Sequence, residues 1–212
     1  MKGFRRSARL RSPLRVSAFR FLLTLAALVA TATNAQINVV DDTGATVAVT
    51  APARRIVTLA PHAAELVFAA GAGRAIVGVI KGTDYPPAAK TLPVIGDANA
   101  LDLERIAALT PDLIVTWPWT TPAQVAWLRN RGIAVFEADA RTVEGIADDV
   151  ERIGALAGTL REAAITATAL RTRIAALATR TVGMPLRVFY QVSDAPLFTL
   201  GGHHLVSQAI AA

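Results

Sequence analysis

Apolar positions in this chain switch between two periods. From Arg55 onward, strand-like, mainly apolar runs at Arg55–Leu59, Ile76–Ile80, Leu113–Thr116 and Ile133–Phe136 alternate with stretches whose apolar residues recur every three or four positions. Short continuous runs suit strands covered on both faces, and the longer period suits amphipathic helices. Their alternation predicts β-α-β units around a mostly parallel sheet, an α/β fold.

The remaining punctuation fills in the elements. Two β runs, Ile37–Val40 and Thr46–Val49, flank the turn signal Asp41-Asp-Thr-Gly44 and predict a hairpin within residues 36–52. A first α/β lobe is expected over 53–157. Pro61 opens a helix that runs through Ala70 and that Gly71 and Gly73 close. Asp84-Tyr85-Pro86-Pro87 must be irregular, because the residue before each proline is pushed out of the helical region. Helices follow at 101–109, 122–131 and 142–157, the last stopped by Gly158.

Thr159-Leu-Arg-Glu162 has the pattern of a capping box and predicts a linking helix over 159–182. A helix reaching about Arg180 would span about 30 Å, the width of a small domain, and so could bridge two lobes. Gly183-Met-Pro185 ends it. Leu186–Val192 reads as a strand, Ser193–Pro196 as a turn and His204–Ala211 as a helix, the start of a second α/β lobe over 185–212. One strand and one short helix cannot bury their own apolar faces. The second lobe is therefore expected to be incomplete, either truncated or completed by another chain.

Residues 1–35 stand apart. Seven basic residues and no acid accompany an apolar run, Phe21–Ala30, too short to span a bilayer. Thr33-Asn34-Ala35 offers a small-residue cleavage site, so a Sec-type signal peptide and a periplasmic location are expected. The compact apolar run favours this over a mitochondrial presequence, and little around Arg5-Arg6 supports twin-arginine export. The leader also changes the charge picture. The whole chain carries a net +6, but the part after Ala35 carries −1, which removes the basic face that a nucleic-acid partner would need. The chain has no cysteine, which excludes thiolate zinc sites and a lipoprotein anchor on the leader.

Chemistry concentrates where strands end. Ligands of open α/β sheets bind beyond the carboxyl ends of the strands. Tyr85, Trp117 and Trp119 fall near such ends and suggest a site for something flat and large. Each also has a plainer reading: Tyr85 as a loop-packing aromatic, Trp117 as a core residue. Trp127, between Val125 and Leu128, reads as core. His62 and Glu65 form His-x-x-Glu, but Leu66 stands where an inverted zinc motif needs a second histidine, so His62 is better placed as a cleft or helix-cap residue. His203 and His204 are adjacent, point about 100° apart on a helix and do not share a face. No phosphate cradle or nucleophile elbow is present.

Several markers occur in order: Arg55-Ile-Val-Thr-Leu-Ala-Pro61, Asp84-Tyr-Pro-Pro87, Leu103-Glu-Arg-Ile106 with Pro111-Asp-Leu-Ile-Val115, and Arg187-Val-Phe-Tyr-Gln191 leading to Gly201-Gly-His-His-Leu205. Together they resemble the periplasmic cobalamin-binding proteins of ABC importers, within the helical-backbone group that also serves haem and iron-siderophores. The resemblance covers about residues 54–212. It implies two Rossmann-like lobes joined by one long helix, the second lobe incomplete in this sequence, with the ligand in the cleft between them.

It further implies that Tyr85 and Trp117 pack on a corrin, with Trp119 and His62 beside them and Tyr190 and Phe198 facing them from the opposite lobe. Either of the last two could instead be core. Glu104 resembles the first-lobe glutamate that docks on the permease, and reads otherwise as a solvated helix residue. The family often has a further tryptophan near Ala98, which this chain lacks. The expected protein is a monomer that does no chemistry, holds no cofactor or metal of its own, and carries cobalamin or a related corrinoid as cargo to an ABC permease. A haem or siderophore binder on the same scaffold is the alternative, and a metal hydrolase using His62, Glu65 and His204 is a more distant one.

Overall fold

A computed structural model describes residues 36–97, 100–179, 187–202 and 204–211. The expected signal peptide over 1–35, Ala98, the Gly183–Pro185 helix end and His203 lie outside the described residues. The centre is a five-stranded, all-parallel sheet of β3 (Ile56–Thr58), β4 (Ile76–Ile80), β5 (Val94–Gly96), β6 (Leu113–Thr116) and β7 (Ala134–Glu137), in the order β5-β4-β3-β6-β7. Two strands at the N-terminus, β1 (Ile37–Val40) and β2 (Thr46–Val49), form the expected antiparallel hairpin. The fold is α/β, as the alternating pattern predicts. The edge strand β5 was not legible, because three residues after a proline-rich loop carry no period.

Both faces of the sheet are covered. On one face α1 (Pro61–Ala69) and α4 (Val143–Ala157) pack Ala63, Val67, Val150 and Ile153 against Ile56, Leu113, Val115 and Phe136. On the other, α2 (Leu103–Ala108) and α3 (Pro122–Arg129) pack Ile106, Val125 and Leu128 against Val57, Ile114 and Val135. Successive strand residues go to opposite layers, which is why the strands read as continuous apolar runs.

The helix starts follow from local chemistry. Pro61 occupies the first helical position of α1, where its missing N–H costs nothing. Asp102 accepts from the Arg105 amide at 2.9 Å and Thr142 from the Gly145 amide at 2.9 Å. A full capping box stands at Thr121 and Gln124, opening α3.

It does not stand at Thr159, and that expectation is corrected. α4 ends on Gly158 in the left-handed conformation (φ 71°), and the amide of Thr159 bonds back to the Gly154 carbonyl at 2.8 Å. The next helix, α5 (Leu160–Ala178), starts at once. Thr159 is thus held by the closure of the preceding helix, and its buried hydroxyl has no hydrogen-bond partner among the described residues. α5 has 19 residues, about 28 Å of helix, and lies along α4 rather than on the sheet.

The strand expected over 186–192 is also corrected. Residues 187–190 are irregular, and a short antiparallel hairpin follows, β8 (Gln191–Asp194) with β9 (Leu197–Thr199), joined by Ala195-Pro196. Val188, Phe189, Val192 and Leu197 are exposed. Isolated two-stranded hairpins gain little without a surface to cover them. The last helix, α6 (Leu205–Ala211), rests against α4.

The α4–α5 contact is unusually close at one point. A Cβ on Gly154 would lie 2.3 Å from the Cβ of Ala163. Replacing a helical glycine by alanine ordinarily gains about 1 kcal/mol, but overpacking costs about 1–3 kcal/mol. Gly154→Ala is therefore expected to lower stability, by up to about 2 kcal/mol, despite its better helix propensity. Denaturant unfolding measures this, and a more stable variant would show that the two helices can separate freely.

Candidate functional site

The chain leaves the sheet in opposite directions from β3 and β6. β4 and β5 lie to one side of β3, while β7 lies beyond β6. Such a switch point opens a crevice beyond the carboxyl ends of the two central strands. A cavity of about 630 Å³ occupies it.

His62, at the start of α1 after β3, meets Trp117, which follows β6. Their ring centroids are 5.1 Å apart at 73°, edge to face. Trp119 stacks on Trp117 at 5.5 Å and 18°. Such pairs hold rings in fixed orientations. Burial lowers the pKa of His62, which favours the neutral imidazole, and among the described residues neither ring nitrogen has a hydrogen-bond partner. Tyr85 reaches the rim from the loop after β4, and Pro118, Ala138 and Ala140 continue the wall. The opposite wall comes from the helices: Ile146, Asp149 and Val150 of α4, then Thr166, Ala169, Leu170 and Arg173 of α5. His204 and Leu205, entering α6, close one side.

A polar latch underlies this wall. Asp42, in the turn of the first hairpin, pairs with Arg152 and accepts from the Asp139 amide at 2.6 Å. Its neighbour Asp41 accepts from the amides of Thr43 and Ala45, both at 3.0 Å, and stands 3.5 Å from Arg129. Arg152 also donates to Asp149 at 2.6 Å and to the Val40 carbonyl at 2.9 Å. Asp149 is fully buried, and its second oxygen has no partner among the described residues. Burial, then the charge of Asp42, outweigh the attraction of Arg152 and push the Asp149 carboxyl up to about 8.

The sequence-derived candidates do not all converge on one place. His62, Tyr85 and Trp117 line the one cavity, as do Glu65 and His204. Trp119 is 75 % exposed and touches Trp117 from outside the lining. Tyr190 and Phe198 are exposed and lie outside the lining. Glu104 projects from α2 into solvent, 3.5 Å from Arg131, whose guanidinium covers the Trp127 ring at 3.2 Å. Trp127 is half-buried against the α3 side of the core. Among the described residues no group of three His, Asp or Glu side chains could hold a metal ion.

Sequence reasoning missed the helical wall and the latch. A signal for Asp149 existed: it sits three residues after Ile146 and four before Ile153, inside the apolar stripe of its helix. Asp41 and Asp42 were legible only as turn residues, since their partners lie far along the chain.

Residues 56–210 match the family described as periplasmic binding proteins. The chain belongs to that family. It is 35% identical over 162 residues to the vitamin B12-binding protein of Vibrio cholerae, a match covering 76% of this chain and 59% of the relative. The crystal structure of the periplasmic vitamin B12-binding protein BtuF of Vibrio cholerae superposes with a TM-score of 0.69 at 36% identity, covering 74% of this chain and 62% of that one. A periplasmic heme-binding protein, RhuT from Roseiflexus, gives 0.55 at 30% identity, covering 62% and 52%. This periplasmic binding protein thus spans less than two thirds of the length of the relatives it matches.

The raised pKa of Asp149 has a signed consequence. An unfolded aspartate releases its proton near pH 4, at about 3.9, whereas folded Asp149 holds it to about 8. Raising the pH across that window deprotonates the unfolded chain first and erodes stability. Asp149→Asn, which cannot titrate, is expected to gain stability relative to the parent between about pH 5 and about pH 8. Urea unfolding at the two pH values measures it. The opposite trend would mean that Asp149 is ionised and stabilised by Arg152.

Proposed function

We propose that this chain is the substrate-binding subunit of a cobalamin importer, catching the corrinoid in the periplasm and presenting it to a membrane permease. One observation carries the reading. The crevice at the β3/β6 switch point has an aromatic, apolar wall, with Trp117 held between His62 and Trp119 and Tyr85 at the rim. Rigid aromatic faces supply contact area at low entropic cost, which suits a broad, flat macrocycle. Relatives named for vitamin B12 binding, at 34–35% identity, support the choice of ligand. The corrinoid is cargo and no cofactor, and the protein works as a monomer without catalysing a reaction.

In this reading Tyr85 and Trp117 contact the ring directly, His62 borders it, and Trp119 braces Trp117. Tyr190 and Phe198 reach the ligand only if the hairpin of β8 and β9 folds toward the cavity. Glu104 is the docking residue for the permease. An exposed pair such as Glu104–Arg131 is worth about 0–1 kcal/mol, so the glutamate can exchange its partner at little cost.

Equilibrium dialysis with cyanocobalamin tests the reading. Saturable binding at one site is expected, and Trp117→Ala should weaken it by about 30-fold, the effect of losing a central aromatic anchor worth about 2 kcal/mol. A shifted Soret band on adding haem, with no retention of cyanocobalamin, would replace the corrinoid by haem. Affinity should also depend on pH. Seating the ligand buries His62 further and favours its neutral form, so binding is expected to weaken as the pH falls through the His62 titration. His62→Gln should flatten that profile. An unchanged profile would place His62 away from the ligand.

A further inference from the structure

Two arginines of α5, two positions apart, have opposite surroundings. Arg171 is saturated. One terminal nitrogen donates to Asp148 at 2.6 Å and to Glu151 at 2.9 Å, and the other to Glu151 at 3.1 Å. This fork holds α5 against α4. Arg173 lies about 200° further round the helix and lines the cavity. Among the described residues no carboxylate stands within ion-pair distance of it.

The acids that share the cavity do not neutralise it. Asp139 is taken by Arg141, and Asp149 by Arg152. Glu65, on α1, also lines the cavity and has no cationic partner among the described residues. The cavity therefore presents one uncompensated cation on the α5 wall and one uncompensated anion on the α1 wall. Leu66, Ala69, Ala169 and Leu170 line the same cavity, and Arg173 and Glu65 are themselves exposed, so both charges stand on an apolar surface open to water. A ligand carrying an anionic oxygen gains by placing it on the α5 side, away from Glu65. A guanidinium is matched to that task, because its planar fork donates two parallel hydrogen bonds to an oxyacid.

We propose that Arg173 reads an oxyacid anion carried by the ligand, and that in a cobalamin this anion is the phosphodiester of the nucleotide loop. The proposal rests on the corrinoid reading above and adds to it a residue that discriminates among corrinoids. Arg173 would orient the ligand, with the ring against the Trp117 wall and the nucleotide loop toward α5.

Three ligands and three proteins test it by equilibrium dialysis at low and high salt. Cyanocobalamin has the phosphodiester. Cobinamide keeps the ring and its amides but lacks that group. Haem offers carboxylates instead. Arg173→Gln is expected to weaken cyanocobalamin about tenfold or more, the scale of a lost charge-assisted hydrogen bond, and to leave cobinamide unchanged. Arg173→Lys should restore most of the affinity, and added salt should narrow the gap. Equal losses for both corrinoids, or none for either, would overturn the role of Arg173 while leaving the corrinoid reading intact. If only haem binds, and Arg173→Gln weakens it, the anion is a carboxylate and the corrinoid reading falls. Binding of none of the three by the parent chain would remove both.

Discussion

The two central strands, β3 and β6, must be buried on both faces, and this requirement organises the molecule. Ile56, Val57, Leu113, Ile114 and Val115 have no exposure, so helices must cover the sheet above and below. The chain satisfies this by winding away from the centre in both directions. The divergence leaves a gap at the carboxyl ends of the strands, and the first residues past those ends meet in it. His62 and Trp117 touch because β3 and β6 are neighbours, although 55 positions separate the two residues.

Electrostatics then fix the parts that hydrophobic burial leaves free. Asp112 accepts from the amides of Arg54 and Arg55 at 2.8 and 3.0 Å, and the Arg55 side chain donates to the Leu109 carbonyl at 2.7 Å. These bonds set the entry of β3 against that of β6. At the other end, Asp42 ties the first hairpin to Arg152 and to the backbone of Asp139. The hairpin has little core of its own, and Val47 and Val49 complete the layer that α1 and α4 build. A peripheral element is thus joined to the cavity wall through one half-buried guanidinium flanked by the side chains of Asp42 and Asp149. Removing one partner from such a cluster leaves a charge without its compensation.

Much of this was legible in the sequence, for a physical reason. Strands buried on both sides leave continuous apolar runs, and Ile76–Ile80 and Leu113–Thr116 match the observed strands residue for residue. Helix starts were legible where a proline marks the first turn, as at Pro61 and Pro122. The errors share another cause. Thr159-Leu-Arg-Glu162 has the letters of a capping box, but the preceding helix had already claimed the Thr159 backbone, a competition that no local pattern records. The run over 186–192 has strand composition without neighbouring strands to extend, and only its last residues pair, with β9. For the site, the aromatic residues announced themselves by type and by place. Arg173 did not, because an ordinary helix residue borders a cavity only when two helices converge, and Asp149 showed only as an acid inside the apolar stripe of its helix.

The close approach at Gly154 and Ala163 reaches beyond the two helices that make it. α5 carries an entire flank of the cavity, yet its distance from α4 is set at a spot that does not border the cavity. The calibre of the chamber is therefore written as missing atoms, a hydrogen where most residues have a carbon. A larger side chain at Gly154 would press α5 away from α4 and shift the flank that α5 carries, with every lining residue unchanged. Relatives of this chain could be fitted to molecules of different girth from a position that no guest ever touches.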